Sequence, residues 1–229
     1  MKYGKEFFIS GIDTDCGKTF ITGLLAFHLH HNNIPTITTK LVQTGCEGIS
    51  EDIVVHRGIM EIGLFDEDKT KLTCPNIFSY PASPHLAAKL DKQDLNLDLF
   101  RNNTEALLDE YRIVLSEGAG GLMVPLETDY LSIEYIKEHN LPLILVSSSK
   151  LGSINHTLMS INICKNYNIN LISVIYNHLP ESDETISIES FKILERYLPQ
   201  YYKDCRLING KVLEKTNKKA IDQLDFLLQ

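Results

Sequence analysis

The residues able to do chemistry crowd first into one short stretch, Phe7 to Phe20, which reads FFISGIDTDCGKTF. Apolar Phe7, Phe8 and Ile9 give a buried-strand signal, and Ile21, Leu24, Leu25 and Leu29 recur at helical spacing beyond the turn. A strand, a glycine-bearing loop and a helix opening on Gly17-Lys18-Thr19 make a phosphate-binding loop. A helix N-terminus offers unpaired N–H groups and a positive dipole end, so it holds an anion. Gly17 lets the backbone approach phosphates, Lys18 can reach the β- and γ-phosphates, and the Thr19 hydroxyl can ligate Mg²⁺. Five residues separate Gly11 from Gly17, where the usual spacing is four. The alternative is a tight strand-to-helix turn with a chance Gly-Lys-Thr, and the context on both sides favours the phosphate loop. Cys16, inside the loop, reads as a small packing residue.

A second group follows the apolar run Ile113-Val114-Leu115: Glu117-Gly118-Ala119-Gly120-Gly121. A carboxylate at a strand end facing a phosphate loop suits an acidic Mg²⁺ partner, and clustered glycines expose N–H groups to an anion. The alternative is a glycine-rich turn behind a solvated acid. Lys40, at the end of another strand signal, can neutralise transferring phosphoryl charge or be simply solvated. Asp52 reads either as a second metal-side carboxylate or as a helix N-cap. Asn177 reads as a reader of a base edge or as a cap, and His85 and His156 have no partner at metal-ligand spacing.

The elements that must position these residues alternate from end to end. Strands are expected at Pro35–Lys40, Asn76–Tyr80, Ile113–Leu115, Pro142–Val146, Ile169–Tyr176 and Cys205–Ile208. Helices are expected at Asp52–Met60, from His85, at Asp94–Tyr111, Tyr130–His139, Gly152–Tyr167 and Ser187–Tyr197, with a terminal helix around Lys211–Leu227. Apolar strands alternating with helices imply an α/β fold, a phosphate-loop NTPase-like and mostly parallel sheet with helices on both faces. Ligands bind beyond the carboxyl ends of such strands, which is where the polar, glycine-bearing segments fall. No linker or repeat interrupts residues 1–229, so one domain is expected.

With 229 residues of which 43% are hydrophobic, the chain has ample material for a core. A net charge of −8 argues against a nucleic acid or an anionic membrane recognised by bulk charge. No run approaches the ~18 apolar residues of a membrane span. The opening MKYGKEFFIS lacks the features of a signal peptide. Five cysteines without C-x-x-C spacing suggest free thiols, so a cytoplasmic location is expected.

Five segments resemble the dethiobiotin synthetase family: GIDTDCGKT at 11–19, KLVQTG at 40–45, SPHLAA at 83–88, EGAGGLMVP at 117–125 and KLGSINH at 150–156. In that family too the first glycine lies one residue early. The resemblance implies that Asp15, Cys16, Gly17, Lys18, Thr19 and Phe20 wrap the triphosphate of ATP, and that Thr19, Asp52 and Glu117 ligate Mg²⁺. It implies catalytic roles for Lys40 and Lys18, and a substrate contact for Thr44, where the family often has serine. Leu41 stands where the family commonly has proline. Gly118, Ala119, Gly120 and Gly121 would present N–H groups to a carbamate, the first three also counting among the nucleotide contacts. Leu151, Gly152, Ser153 and Asn155 would hold the substrate carboxylate across a two-fold interface, making a homodimer. Asn177 would contact adenine, with Leu198-Pro199 and Leu207–Gly210 as rival further adenine segments.

The implied reaction takes 7,8-diaminononanoate, CO₂ or bicarbonate, and ATP to dethiobiotin, ADP and phosphate through a carbamate and a carbamic–phosphoric anhydride. The rival class is a nucleotide-switch partitioning-type ATPase. Such proteins usually carry an additional lysine near the loop's start, where this chain has Ile12-Asp13. The mixed charges of Lys218, Lys219, Asp222 and Asp225 do not suit a basic membrane helix. A GTPase is disfavoured because Asn217-Lys218-Lys219-Ala220 lacks a guanine-reading aspartate. A binding module without catalysis is disfavoured by Lys18, Lys40, Asp52 and Glu117.

Overall fold

Strand residues alternate sides, and here both sides are apolar, which is why the strands assemble into a sheet buried on two faces. The structure is a computed structural model and describes residues 3–228. The single-domain expectation for 1–229 therefore has its terminal residues 1, 2 and 229 outside the described range.

In chain order, β1 (Lys5–Gly11) leads into α1 (Lys18–His31), then β2 (Thr36–Lys40), β3 (Gln43–Thr44), α2 (Glu51–Met60), α3 (Asp66–Lys69), β4 (Ile77–Phe78), α4 (Pro84–Asp91) and α5 (Leu97–Glu110). There follow β5 (Ile113–Gly121), β6 (Pro125–Glu127), β7 (Tyr130–Leu131), α6 (Ser132–Glu138), β8 (Leu143–Ser148), α7 (Ser153–Asn166), β9 (Leu171–Asn177), α8 (Glu184–Tyr201) and β10 (Arg206–Asn209). Six strands form one sheet in the order β10-β9-β8-β1-β5-β2, every pairing parallel. That is the expected α/β architecture.

Phe8, Leu143, Leu145 and Val174 face one core with residues of α5, α6 and α7, including Phe100, Tyr135 and Ile161. Phe7, Ile9, Ile144, Val146 and Ile175 face the other, against Ile21, Leu24, Leu25 and Leu29 of α1. Both faces are thus covered by helices. Among the described residues, no helix is long and apolar enough to cross a membrane.

The structure corrects four expectations. The strand over Ile113–Leu115 does not stop there: β5 runs on to Gly121, because Glu117 pairs in register with both β1 and β2. The segment expected as a loop at Gln43 and the strand expected near Asn76 pair with each other, as the small parallel ladder β3–β4 outside the main sheet. Tyr130 lies in a hairpin, β6–β7, and its helix begins at Ser132. The terminal helix around Lys211–Leu227 is instead two 3₁₀ turns, Gly210–Leu213 and Ala220–Leu227. Leu213, Leu224 and Leu227 anchor these turns in the second core, so burial decides the path.

Candidate active site

The strand ends deliver the site. β1 hands the chain to the loop, β2 ends on Lys40, β5 carries Glu117, and β9 ends on Asn177. Two glycines let the loop fold back on itself. A Cβ on Gly11 would stand 2.4 Å from Cys16 Sγ, and Gly17 takes φ 93 with Asn177 Nδ2 only 2.0 Å from where its Cβ would lie. Asn177 is buried and its Nδ2 donates to the Cys16 carbonyl at 3.0 Å, so β9 braces the loop. Lys18 is buried beneath the loop and donates to the Asp13 carbonyl at 3.0 Å. Cys16 packs into the second core, while Phe20 is exposed.

Lys40 and Glu117 converge because β2 and β5 place them opposite each other. Lys40 Nζ donates to Glu117 Oε1 at 2.8 Å and to the Gly118 carbonyl at 3.1 Å, and it pairs with Asp52 Oδ2. Thr19 Oγ1 donates to the same Glu117 Oε1 at 3.0 Å. Asp52 is free to reach Lys40 because the cap of α2 is Ser50, whose hydroxyl accepts from Ile53 N. Gln43 ties this helix start to β3, its Oε1 accepting from Ser50 Oγ at 2.6 Å and from Asp52 N at 3.3 Å.

Burial alone would push the Glu117 carboxyl up, but Lys40 and then His56 outweigh it and hold it well below the ordinary carboxylate range. Burial likewise pulls Lys40 down, and the facing Glu117 and Asp52 outweigh it, leaving the ammonium raised. The site therefore holds the Lys40 ammonium between the Glu117 and Asp52 carboxyl groups.

Behind Glu117 lies a buried polar chain with no counterpart in the sequence reading. His56 Nε2 stands 2.9 Å from Glu117 Oε2, and His56 Nδ1 stands 3.0 Å from Thr38 Oγ1. Arg57 Nη1 donates to the same Thr38 hydroxyl at 2.8 Å, and its Nε and Nη2 hold Asp68 in a two-point clamp at 2.8 Å each. Arginine only donates, so the Thr38 hydroxyl accepts from Arg57 while also pairing with His56 Nδ1. The Glu117 carboxylate only accepts, so His56 Nε2 is the donor of this bond. The available signal was spacing: His56 lies four residues after Asp52, hence on the same helix face.

An open pocket of about 810 Å³ spans these groups. Its walls include Asp15, Gly17, Lys18 and Thr19 from the loop, Lys40, Asp52 and Glu117 at its base, and Thr44, Ala119 and Gly120 opposite. Pro81 to Pro84, leading into α4, close another side. Gly118 and Gly121 belong to β5 but do not line the pocket. Leu151, Gly152, Ser153 and Asn155 also lie outside its walls: Leu151 is 81% exposed, and Ser153 Oγ is buried with no hydrogen-bond partner.

Among the described residues, no group of three or more His, Cys, Asp or Glu is arranged to hold a metal. The donors that do converge are hard oxygens, the Thr19 hydroxyl and the Asp52 and Glu117 carboxylates. That set fits Mg²⁺, which binds through one or two carboxylates plus substrate phosphates rather than an all-protein cage.

A glycine-bearing loop at the end of a central parallel strand, opening a helix on Lys-Thr and facing the buried Glu117 and half-buried Asp52, defines a phosphate-loop nucleotide-binding protein. A family model described as an AAA domain matches residues 5–200. An ATP-dependent dethiobiotin synthetase of Pasteurella multocida is 48% identical over 197 residues, covering 86% of this chain and 92% of its own. One from Haemophilus influenzae is 49% identical over 180 residues, covering 79% and 94%. The chain belongs to the dethiobiotin synthetase family. Among solved structures, a ParA family ATPase from Chlorobium tepidum matches 99% of this chain and 98% of its own with a TM-score of 0.53. At 16% identity that likeness shows the fold alone.

Proposed function

We propose that the protein is an ATP-dependent ligase of biotin biosynthesis that carboxylates 7,8-diaminononanoate with CO₂ and closes the ureido ring of dethiobiotin. The observation that carries this reading is the Lys40 ammonium held between Asp52 and Glu117 beside the phosphate loop, in a chain of this family.

One amine of the substrate takes up CO₂ as a carbamate. Its oxygen attacks the γ-phosphorus of ATP and ADP leaves, giving the mixed anhydride. The second amine attacks the carbonyl carbon and phosphate departs. Lys18 and Lys40 offset charge developing on the transferring phosphoryl oxygens, and the preorganised cluster spares reorganisation at the moment of reaction. Thr19, Asp52 and Glu117 would hold Mg²⁺, which when bound supplies positive charge at the β- and γ-phosphates. Thr44 and the backbone of Ala119 and Gly120 take the diamine end, and Asn177 lies close enough to the loop to serve the adenine side. The Leu151–Asn155 segment, with Leu151, Gly152, Ser153 and Asn155, serves a second protomer's substrate across a two-fold interface. We read the chain as one domain working in the cytoplasm, with no nucleic-acid or membrane partner.

The test is phosphate release from MgATP and bicarbonate with and without 7,8-diaminononanoate, together with the product mass. Diamine-dependent turnover giving the ring-closed ureide is expected. Slow ATP hydrolysis indifferent to the diamine would overturn the reading and favour a partitioning-type ATPase.

A further inference from the structure

We infer that His56 is a positioning residue for Glu117, and that it works as the last link of a buried chain running Asp68–Arg57–Thr38–His56. This rests on the reading of Glu117 as a metal-side carboxylate given above.

Glu117 has two oxygens with different duties. Oε1 meets Lys40 and Thr19, which line the pocket, while Oε2 meets His56, which does not. A carboxylate held on one side alone can turn about its last torsion, which is broad. A donor fixed on Oε2 removes that freedom and leaves Oε1 on Lys40 and Thr19. His56 is fully buried and cannot move to another partner, because Thr38 holds its Nδ1. Thr38 is fixed in turn by Arg57, and Arg57 by Asp68, which also accepts from Thr73 Oγ1 at 2.9 Å and Phe65 N at 2.8 Å. Every member has its partners, so the chain has one arrangement.

The placement on α2 adds a second consequence. Asp52 and His56 project from one face of the same helix, one to Lys40 and the other to Glu117. Arg57, the next residue, clamps the helix to α3 through Asp68. One docked helix therefore sets both carboxylates, Asp52 directly and Glu117 through His56.

The test compares His56→Gln with His56→Asn. The Gln amide nitrogen reaches about where imidazole Nε2 stands and keeps the donor to Glu117; the Asn amide reaches only to the Nδ1 position. We expect His56→Asn to lower kcat and weaken Mn²⁺ binding, read by electron paramagnetic resonance with a non-hydrolysable ATP analogue, by about 10–100-fold, the usual range for residues behind a metal ligand. At saturating Mg²⁺, KM for ATP should change by less than about threefold, since the phosphate loop's own contacts to the nucleotide are untouched. His56→Gln, which keeps the donor to Glu117 and gives up only the tie to Thr38, should fall between wild type and His56→Asn in every readout. Equal losses in the two variants, or wild-type values in His56→Asn, would overturn the inference. If His56→Asn does not fold, Thr38→Val and Thr38→Ser take its place: Val should lose kcat and Mn²⁺ affinity, Ser should retain them, and equal behaviour overturns the idea. The Mn²⁺ arm needs only nucleotide. It therefore tests His56 even if the wild-type protein shows no diamine-dependent turnover, a result that would instead overturn the function proposed above.

Discussion

Lys40 and Glu117 stand opposite each other in the β2–β5 ladder, and the ammonium closes on the carboxylate at 2.8 Å. Neighbouring strands thus create the ion pair through backbone register, before any side-chain choice. Lys40→Met should keep the length of the side chain and remove its charge. Turnover is expected to fall by at least ~10²-fold, as loss of one preorganised charge donor does. ATP binding measured by calorimetry should persist, and unchanged turnover would take Lys40 out of the mechanism.

The phosphate loop depends on Gly17 for shape as well as for access. Gly17→Ala would place a methyl 2.0 Å from Asn177 Nδ2 at a φ of 93. The loop must shift away from its brace, so ATP affinity is expected to fall by at least ~10-fold, about 1.4 kcal/mol. Circular dichroism should stay native, because β1 and α1 keep their core contacts. Wild-type affinity would show that the loop tolerates the shift.

Arg57 and Asp68 form a buried pair, 2% and 0% exposed in their side chains. Arg57→Met leaves the Asp68 anion buried without its cation, which should cost about 3–5 kcal/mol of stability in urea denaturation. Arg57→Met combined with Asp68→Leu should recover a large part of that loss, since it removes the stranded charge. A double variant no more stable than the single one would contradict this account.

Stability should fall toward alkaline pH for a definite reason. Burial pushes the Cys74 and Cys164 thiols up to about 12. The folded chain thus keeps thiol protons that the unfolded chain loses above about pH 8.5. Between about pH 8.5 and the folded values the unfolded state binds fewer protons, so stability declines as pH rises, by at most about 1.4 kcal/mol per pH unit per thiol. The raised Lys40 ammonium acts in the same direction above about pH 10.4. Urea denaturation at pH 7.5, 8.5 and 9.5, repeated on Cys74→Ala, checks the slope; a flat profile would refute the cause assigned.

Much of this arrangement was legible in the sequence because it rests on short-range signals. The apolar strands, the Gly-Lys-Thr helix opening and the strand-end positions of Lys40 and Asn177 are all local. They suffice for the parallel α/β sheet and bring Lys18, Thr19, Lys40, Asp52 and Glu117 into view. What escaped depends on distant partners. Glu117 reads as a carboxylate just past a strand end because the glycines after it suggest a turn, yet pairing with β1 and β2 keeps it inside a strand. His56 reads as nothing when taken alone, since its meaning comes from Thr38 and Glu117, 18 and 61 residues away. The segment Lys211–Leu227 has a helical apolar pattern, but its leucines are claimed by the second core as 3₁₀ turns.

The brace from Asn177 to the Cys16 carbonyl bears on how the molecule is made. It joins residues 161 positions apart, and the Lys40–Glu117 pair joins residues 77 apart. During synthesis the phosphate loop emerges early, yet the strand that steadies it leaves the ribosome more than a hundred residues later. A nascent chain can form β1 and α1 locally, but its long-range pairings are slow and come last. Nucleotide should therefore find no competent loop on a growing chain until β9 has emerged and docked. ATP then stabilises only finished molecules, and premature termination before Asn177 leaves a chain that the ligand cannot rescue.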